Sequence, residues 1–131
     1  MNLSGKSRKE IGNIGERTAA EYLKRRGFRI RGRNIGRKTG EIDIVAEHDG
    51  VLHIVEVKTI LCRDFPDEKG SRDEYDPAMN LHEAKVRRVA RTAEWYVAET
   101  DWEGEWQVDG ALVWLRERDG MARVHYLPQI L

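Results

Sequence analysis

Residues 40 to 59 read "GEIDIVAEHDGVLHIVEVKT", two apolar, strand-like runs joined at Asp49-Gly50. Asp-Gly is the pair a two-residue hairpin turn prefers, because both central positions need positive φ. The turn sets a register in which opposed residues have numbers summing to 99, so Asp43 faces Glu56 and Glu41 faces Lys58. Side chains alternate along a strand. Ile42, Ile44 and Ala46 therefore share a core face with Val51, Val55 and Val57. The opposite face carries Glu41, Asp43 and Val45 beside Ile54, Glu56 and Lys58, with its charges gathered at the end away from the turn.

Two directly opposed carboxylates, about 5 Å apart at Cβ, destabilise a strand pair unless something offsets them. A divalent cation would, since Asp43 and Glu56 offer the hard oxygen ligands that Mg²⁺ or Mn²⁺ takes, with water filling the other positions. Lys58 lies two residues after Glu56 on the same face, placed to meet a metal-bound water and an incoming phosphate. The blander alternative is an exposed cross-strand ion pair, Glu41 with Lys58, on a solvated face. Against it, the charges cluster at one end and Val45 and Ile54 make the same face partly apolar.

Before the hairpin, Ile11, Ile14, Ala19, Tyr22 and Leu23 recur at helical spacing from about Arg8 to Arg26, and Gly27 supplies a stop. Glu16 lies on this helix and is a candidate third carboxylate if Gly12 and Gly15 let the helix approach the sheet; otherwise it is a surface residue. "FRIRGRN" reads as a short first strand followed by the turn-like, basic "GRKTG". After the hairpin, Leu61 to Met79 is charged, contains two prolines and lacks periodicity, which predicts a long mobile loop. Asn80, with Glu83 three residues on, can cap a second helix whose buried stripe is Val86, Val89, Ala90, Ala93 and Val97, ending near Glu99. "WQVDGALVWLRERDGMARVHYL" alternates around Asp119-Gly120 as a second hairpin. The order α-β-β-β-α-β-β indicates an α/β or α+β sheet of about five strands flanked by helices.

At 131 residues the chain is the size of one domain. It shows no secretory or membrane-spanning apolar segment, so a cytoplasmic location with no membrane partner is expected. Its single cysteine, Cys62, excludes an internal disulfide, and the four histidines lack zinc spacing. The net charge of zero hides blocks of opposite sign: residues 1 to 40 hold 12 Lys/Arg against 3 Asp/Glu, whereas residues 41 to 83 hold 4 against 12. A basic edge beside an acidic centre suits phosphates held around a cation, though solvated faces of ordinary kind would give the same blocks.

The strings "GERTAAEYLKRRGFRIRGRN" and "GEIDIVAEHDGVLHIVEVKT" resemble the small bacterial YraN-like family, uncharacterised proteins with an endonuclease-like fold. The likeness is strong over residues 12 to 59 and weaker over 80 to 131. The family in turn resembles the PD-(D/E)XK nucleases, which include restriction enzymes and Holliday-junction resolvases. That resemblance implies a restriction endonuclease-like α/β fold and a single domain. It also implies that Asp43 and Glu56 bind Mg²⁺ or Mn²⁺ with the Val57 carbonyl, that Lys58 positions or activates water, and that Glu16 completes the catalytic set, with Glu41 as an accessory. Two departures stand out: Ile42 occupies the usual proline position, and "ILC" separates "VEVKT" from Arg63.

Arg33, Arg37 and Lys38 flank the expected site, and Lys85 and Arg88 share a face of the second helix, so these five are the expected nucleic-acid contacts. The tryptophans are expected in a core or an interface rather than stacked on bases. Asp109 is expected in an ion pair with a helix arginine. A metal-dependent nuclease acting on DNA in preference to RNA is the leading reading. The alternative is a nucleic-acid-binding or protein-interaction module that keeps the fold without turnover. Cutting both strands of a junction calls for a homodimer, with the late tryptophans as its seam.

Overall fold

A computed structural model describes residues 2–66 and 83–131. The order along the chain is α1 (Arg8–Arg25), β1 (Arg29–Arg37), β2 (Gly40–His48), β3 (Val51–Cys62), α2 (Glu83–Glu99), β4 (Trp106–Arg116) and β5 (Ala122–Leu127). The strands form one mixed sheet in the order β1-β2-β3-β4-β5. Among the described strands β3 and β4 alone run parallel, and α2 lies in the crossover between them; the other pairs are antiparallel.

Local chemistry fixes the ends of α1. Ser7 and Glu10 form a reciprocal capping box, each side chain taking the other's backbone N–H at 3.1 Å. At the other end Gly27, at φ 87°, lets Gly27 N–H reach Lys24 O and Phe28 N–H reach Leu23 O, a Schellman closure that ends the helix. The Asp49-Gly50 turn has φ of 49° and 76°, as a type I′ hairpin requires, and the β2–β3 rungs from Ile44–Val55 to His48–Val51 follow the expected register.

The sheet is buried on both faces. Ile11, Ala19, Ala20 and Leu23 of α1 pack on Ile44, Ala46, Val55, Val57 and the alternate residues of β4. Leu23 is 1% exposed, and truncating it to alanine would cost about 3 kcal/mol. On the other side Val89, Ala93 and Tyr96 of α2 cover Val45, Ile54 and Val108. The face that carries the charged residues is thus a second core along most of its length, and its charges lie beyond the apolar cover.

Several expectations need correction. Ile42 joins the α2-side core, beside its β1 partner Ile35, rather than that of Ile44 and Ala46. Val51 is half-buried instead of a core residue. The basic "GRKTG" contributes to β1 as far as Arg37, and β3 takes Leu61 and Cys62 from the expected loop. The remainder of that loop from residue 67, with Asn80, lies outside the described residues. Trp114 is buried and Trp102 and Trp106 pack at the α2-side core, while Trp95 is 54% exposed.

Candidate functional site at the split between β2 and β3

The β2–β3 ladder stops at Ile44–Val55. A strand continuing in register would place Val57 opposite Ile42. Instead the Val57 N–H donates to Asp43 Oδ2 at 2.8 Å, so a side chain substitutes for a backbone rung and the two strands part. Outside the split the sheet is intact: Ile42 still pairs with Ile35 of β1, and β3 follows β4 as far as Cys62–Arg116. Asp43 and Glu56 occupy this opening.

Above them α2 closes a pocket of about 250 Å³ whose polar lining includes Glu41, Asp43, Glu56, Lys85 and Arg88. Thr39 and Thr92 hydroxyls meet at 2.7 Å and Thr92 donates to Arg88 O at 3.0 Å, which ties the β1–β2 turn to α2 beside the pocket. Glu56 is 1% exposed. Neither of its oxygens has a hydrogen-bond partner of good geometry among the described residues, although Lys85 Nζ lies 2.7 Å from Oε1. A buried carboxylate pair offset by one half-exposed ammonium costs free energy, and a divalent cation would compensate it more fully.

The electrostatics say the same. Burial, reinforced by the adjacent Asp43 charge, raises the Glu56 carboxyl to about 7 against the opposing pull of Lys85. Burial also raises Asp43, opposed by the Val57 N–H and by Lys85. The two carboxyls approach closely enough to share a hydrogen bond when one is protonated. Lys85 is raised: its partial burial works against the charge, but the contact with Glu56 and the Asp43 charge outweigh it.

Glu16 stands at the edge of this group, on α1. Gly15 makes its position possible, since a Cβ there would lie 1.9 Å from Thr59 Oγ1 of β3, so only glycine permits this helix-to-strand distance. Gly12, expected to help, has open space around it. Glu16 Oε1 is 3.9 Å from an Arg33 guanidinium nitrogen. Asn34, with its amide nitrogen facing them, donates to Glu16 Oε1 at 2.8 Å and to Glu41 Oε1 at 3.2 Å. Burial and the Asp43 charge raise the Glu16 carboxyl.

The other expected residues are distributed as follows. Lys58 is exposed on β3 and does not line the pocket. Arg37 is engaged with Glu99 at 2.5 Å, Lys38 is exposed, and Arg88 lines the pocket. Lys85 touches a carboxylate directly, a placement that helix periodicity could not reveal. Among the described residues no three His, Cys, Asp or Glu side chains converge into a metal cage, so a cation here would rest on two carboxylates with water and substrate oxygens completing its shell. Such sparse protein ligation suits Mg²⁺, and the orphaned Glu56 oxygens fit it.

Asp109 lies elsewhere and is fully buried. Among the described residues it has no helix arginine as partner; it accepts hydrogen bonds from His53 Nδ1 at 2.6 Å, Gln107 Nε2 at 2.8 Å, the Gln129 N–H at 2.8 Å and the Tyr126 hydroxyl. It pins β3, β4, β5 and the C-terminal residues together.

A five-stranded mixed sheet with a helix on each face, parting at an acidic pair, defines an α/β protein of restriction endonuclease-like fold. The chain belongs to the uncharacterised protein family UPF0102, whose model matches residues 15–117. That span takes in Glu16, the whole carboxylate hairpin and α2. Relatives called UPF0102 protein include one from Nitratiruptor sp., 32% identical over 103 residues, covering 79% of this chain and 81% of the relative. Another from Persephonella marina is 38% identical over 94 residues, or 72% and 73% of the two chains. A third, from Syntrophotalea carbinolica, is 42% identical over 92 residues, or 70% and 68%. No helix among the described residues is long and apolar enough to cross a membrane.

Proposed function

We propose that this protein is a metal-dependent nuclease that hydrolyses phosphodiester bonds in nucleic acid, DNA in preference to RNA. One observation carries the reading: the Glu56 carboxylate is buried, lacks hydrogen-bond donors of good geometry and lies beside Asp43 at the base of a pocket with cationic groups at Lys85 and Arg88. A purely structural carboxylate at such depth would be expected to gather donors, as Asp109 does.

Asp43 and Glu56 would hold Mg²⁺ or Mn²⁺. When bound, the ion supplies charge stabilisation for the phosphoryl group and a lowered pKa for the attacking water. The chain's own residues do the rest. The Val57 N–H fixes the orientation of Asp43, so one of its oxygens is committed and the other is available. Lys58, exposed on β3 two residues beyond Glu56, is available to a water or a phosphate oxygen. Glu16, restrained by Arg33 and Asn34, offers a nearby carboxylate to accept a proton or orient water. Arg88, with Arg33 on β1 and Lys38 in the β1–β2 turn, would draw in the phosphate backbone. The preference for DNA rests on the resemblance to restriction enzymes and junction resolvases.

Cleavage of labelled single-stranded, duplex and branched DNA and RNA tests the proposal. Wild type should cut at least one of them with Mg²⁺ or Mn²⁺ and stop when the metal is chelated. Asp43→Asn, Glu56→Gln and Lys58→Ala should each lose cutting by about a hundredfold or more. The ammonium of Lys85 already facing Glu56 supports a second reading, a module that binds nucleic acid without turnover. Tight binding with no cutting under either metal would select it.

A further inference from the structure

We propose that Lys85 is the site's built-in counter-ion: in the metal-free protein its ammonium holds the cation position at Glu56 and Asp43, and a divalent ion enters by displacing it. This rests on the reading of Asp43 and Glu56 as metal ligands. It concerns how that site is kept stable and when it loads.

Three observations carry it. Lys85 Nζ lies 2.7 Å from Glu56 Oε1 and lines the pocket, whereas Lys58, on the same strand as Glu56, is exposed and outside the lining. The contact is an ion pair at 2.7 Å that offsets part of the charge Glu56 and Asp43 carry into the pocket. Finally, the Lys85 side chain is 49% exposed on the first turn of α2, so it can swing out without uncovering the core.

An ammonium 2.7 Å from Glu56 Oε1 stands where a divalent ion coordinated by that oxygen would approach, and the two cations repel. Metal binding by the wild type therefore includes breaking a charge-assisted contact. Removing that contact should tighten binding about ten- to a hundredfold. Once displaced, Lys85 stands beside Arg88 at the pocket mouth, free for a phosphate oxygen. The acidic pair is thus covered until metal arrives, and the same event releases a phosphate-binding group.

Calorimetric titration of Mn²⁺ into wild type, Lys85→Met and Arg88→Met tests this. Lys85→Met should bind ten- to a hundredfold tighter, and Arg88→Met, which removes a nearby positive charge but not the contact, should change affinity by less than about threefold. Equal affinity of wild type and Lys85→Met overturns the proposal and leaves the metal site standing. Equal tightening in Arg88→Met overturns it as well, by showing a general field effect. Binding by neither wild type nor Lys85→Met removes the metal reading and this proposal with it. Should Lys85→Met fail to fold, the wild type gives the answer through its ¹³C-labelled lysines. On Mg²⁺ addition the Lys85 ε-methylene signal should move to the position of exposed lysines, and a signal unmoved at saturating Mg²⁺ overturns the proposal.

Discussion

Asp43 Oδ2 accepts the Val57 N–H at 2.8 Å where the backbone ladder between β2 and β3 has already ended. The side chain satisfies an amide that the parted strands leave behind. Asp43→Ala should therefore cost about 2 kcal/mol, because it orphans a buried N–H. Asp43→Asn keeps an oxygen acceptor and removes like-charge repulsion with Glu56, so its stability should match or exceed that of wild type. Urea unfolding of both variants measures the difference.

Glu56 titrates at about 7 in the folded chain against an ordinary 4.5, so between these values the folded protein binds more protons than the unfolded one. Its contribution to stability therefore falls as pH rises from about 4.5 to 7 and is level above that. Glu56→Gln should abolish this slope and be more stable than metal-free wild type at pH 8, by roughly 3 kcal/mol at most. Thermal melts of the two proteins across pH 4 to 8 give the comparison. A divalent cation competes with the same proton, so its affinity should weaken about tenfold per pH unit below 7.

Gly15→Ala places a methyl group 1.9 Å from Thr59 Oγ1. Helix α1 must then withdraw from β3, at a cost of about 2 kcal/mol. Thr59→Ala should recover part of the loss and not all, because the Thr59 Cβ would still be only 2.8 Å away. A double-mutant cycle by denaturant unfolding reads the coupling.

Asp109 sits below the ordinary carboxylate range: burial pushes it up, but the hydrogen bonds from His53, Tyr126, the Gln129 N–H and Gln107 together outweigh that. A depressed folded pKa gives stability that is present above the unfolded value and lost as pH falls through the folded one. Asp109→Ala should cost about 3 kcal/mol at neutral pH and remove part of the acid sensitivity below about pH 4. Equal stability of wild type and variant at pH 7 would contradict the role given to this cluster.

Turn chemistry and periodicity carried much of the architecture. Asp49-Gly50 fixed the hairpin register, and Gly27 marked the end of α1, because both depend on local φ preferences. That register brought Asp43 near Glu56 and was enough to find the acidic pair, although the ladder ends at Ile44–Val55 and neither Asp43–Glu56 nor Glu41–Lys58 is one of its rungs. What could not be read was tertiary. Helical spacing does not tell which of Gly12 and Gly15 touches the sheet, and strand alternation did not tell that Ile42 packs in the α2-side core. The approach of Lys85 to Glu56 joins two elements that lie far apart in the sequence, and the partners of Asp109 come from β3, β4, β5 and the C-terminal residues. Each of these depends on how α2 and the late strands pack, which no local pattern encodes.

A divalent cation held by Asp43 and Glu56 is what separates a nuclease from a binding module on this fold. Anomalous diffraction from crystals equilibrated with Mn²⁺ tests this most directly. The prediction is one peak within about 2.3 Å of a carboxylate oxygen of each residue, absent in Glu56→Gln, with Lys85 withdrawn from it. A pocket without a peak at saturating Mn²⁺, Lys85 still on Glu56 and nucleic acid bound alongside, would contradict it.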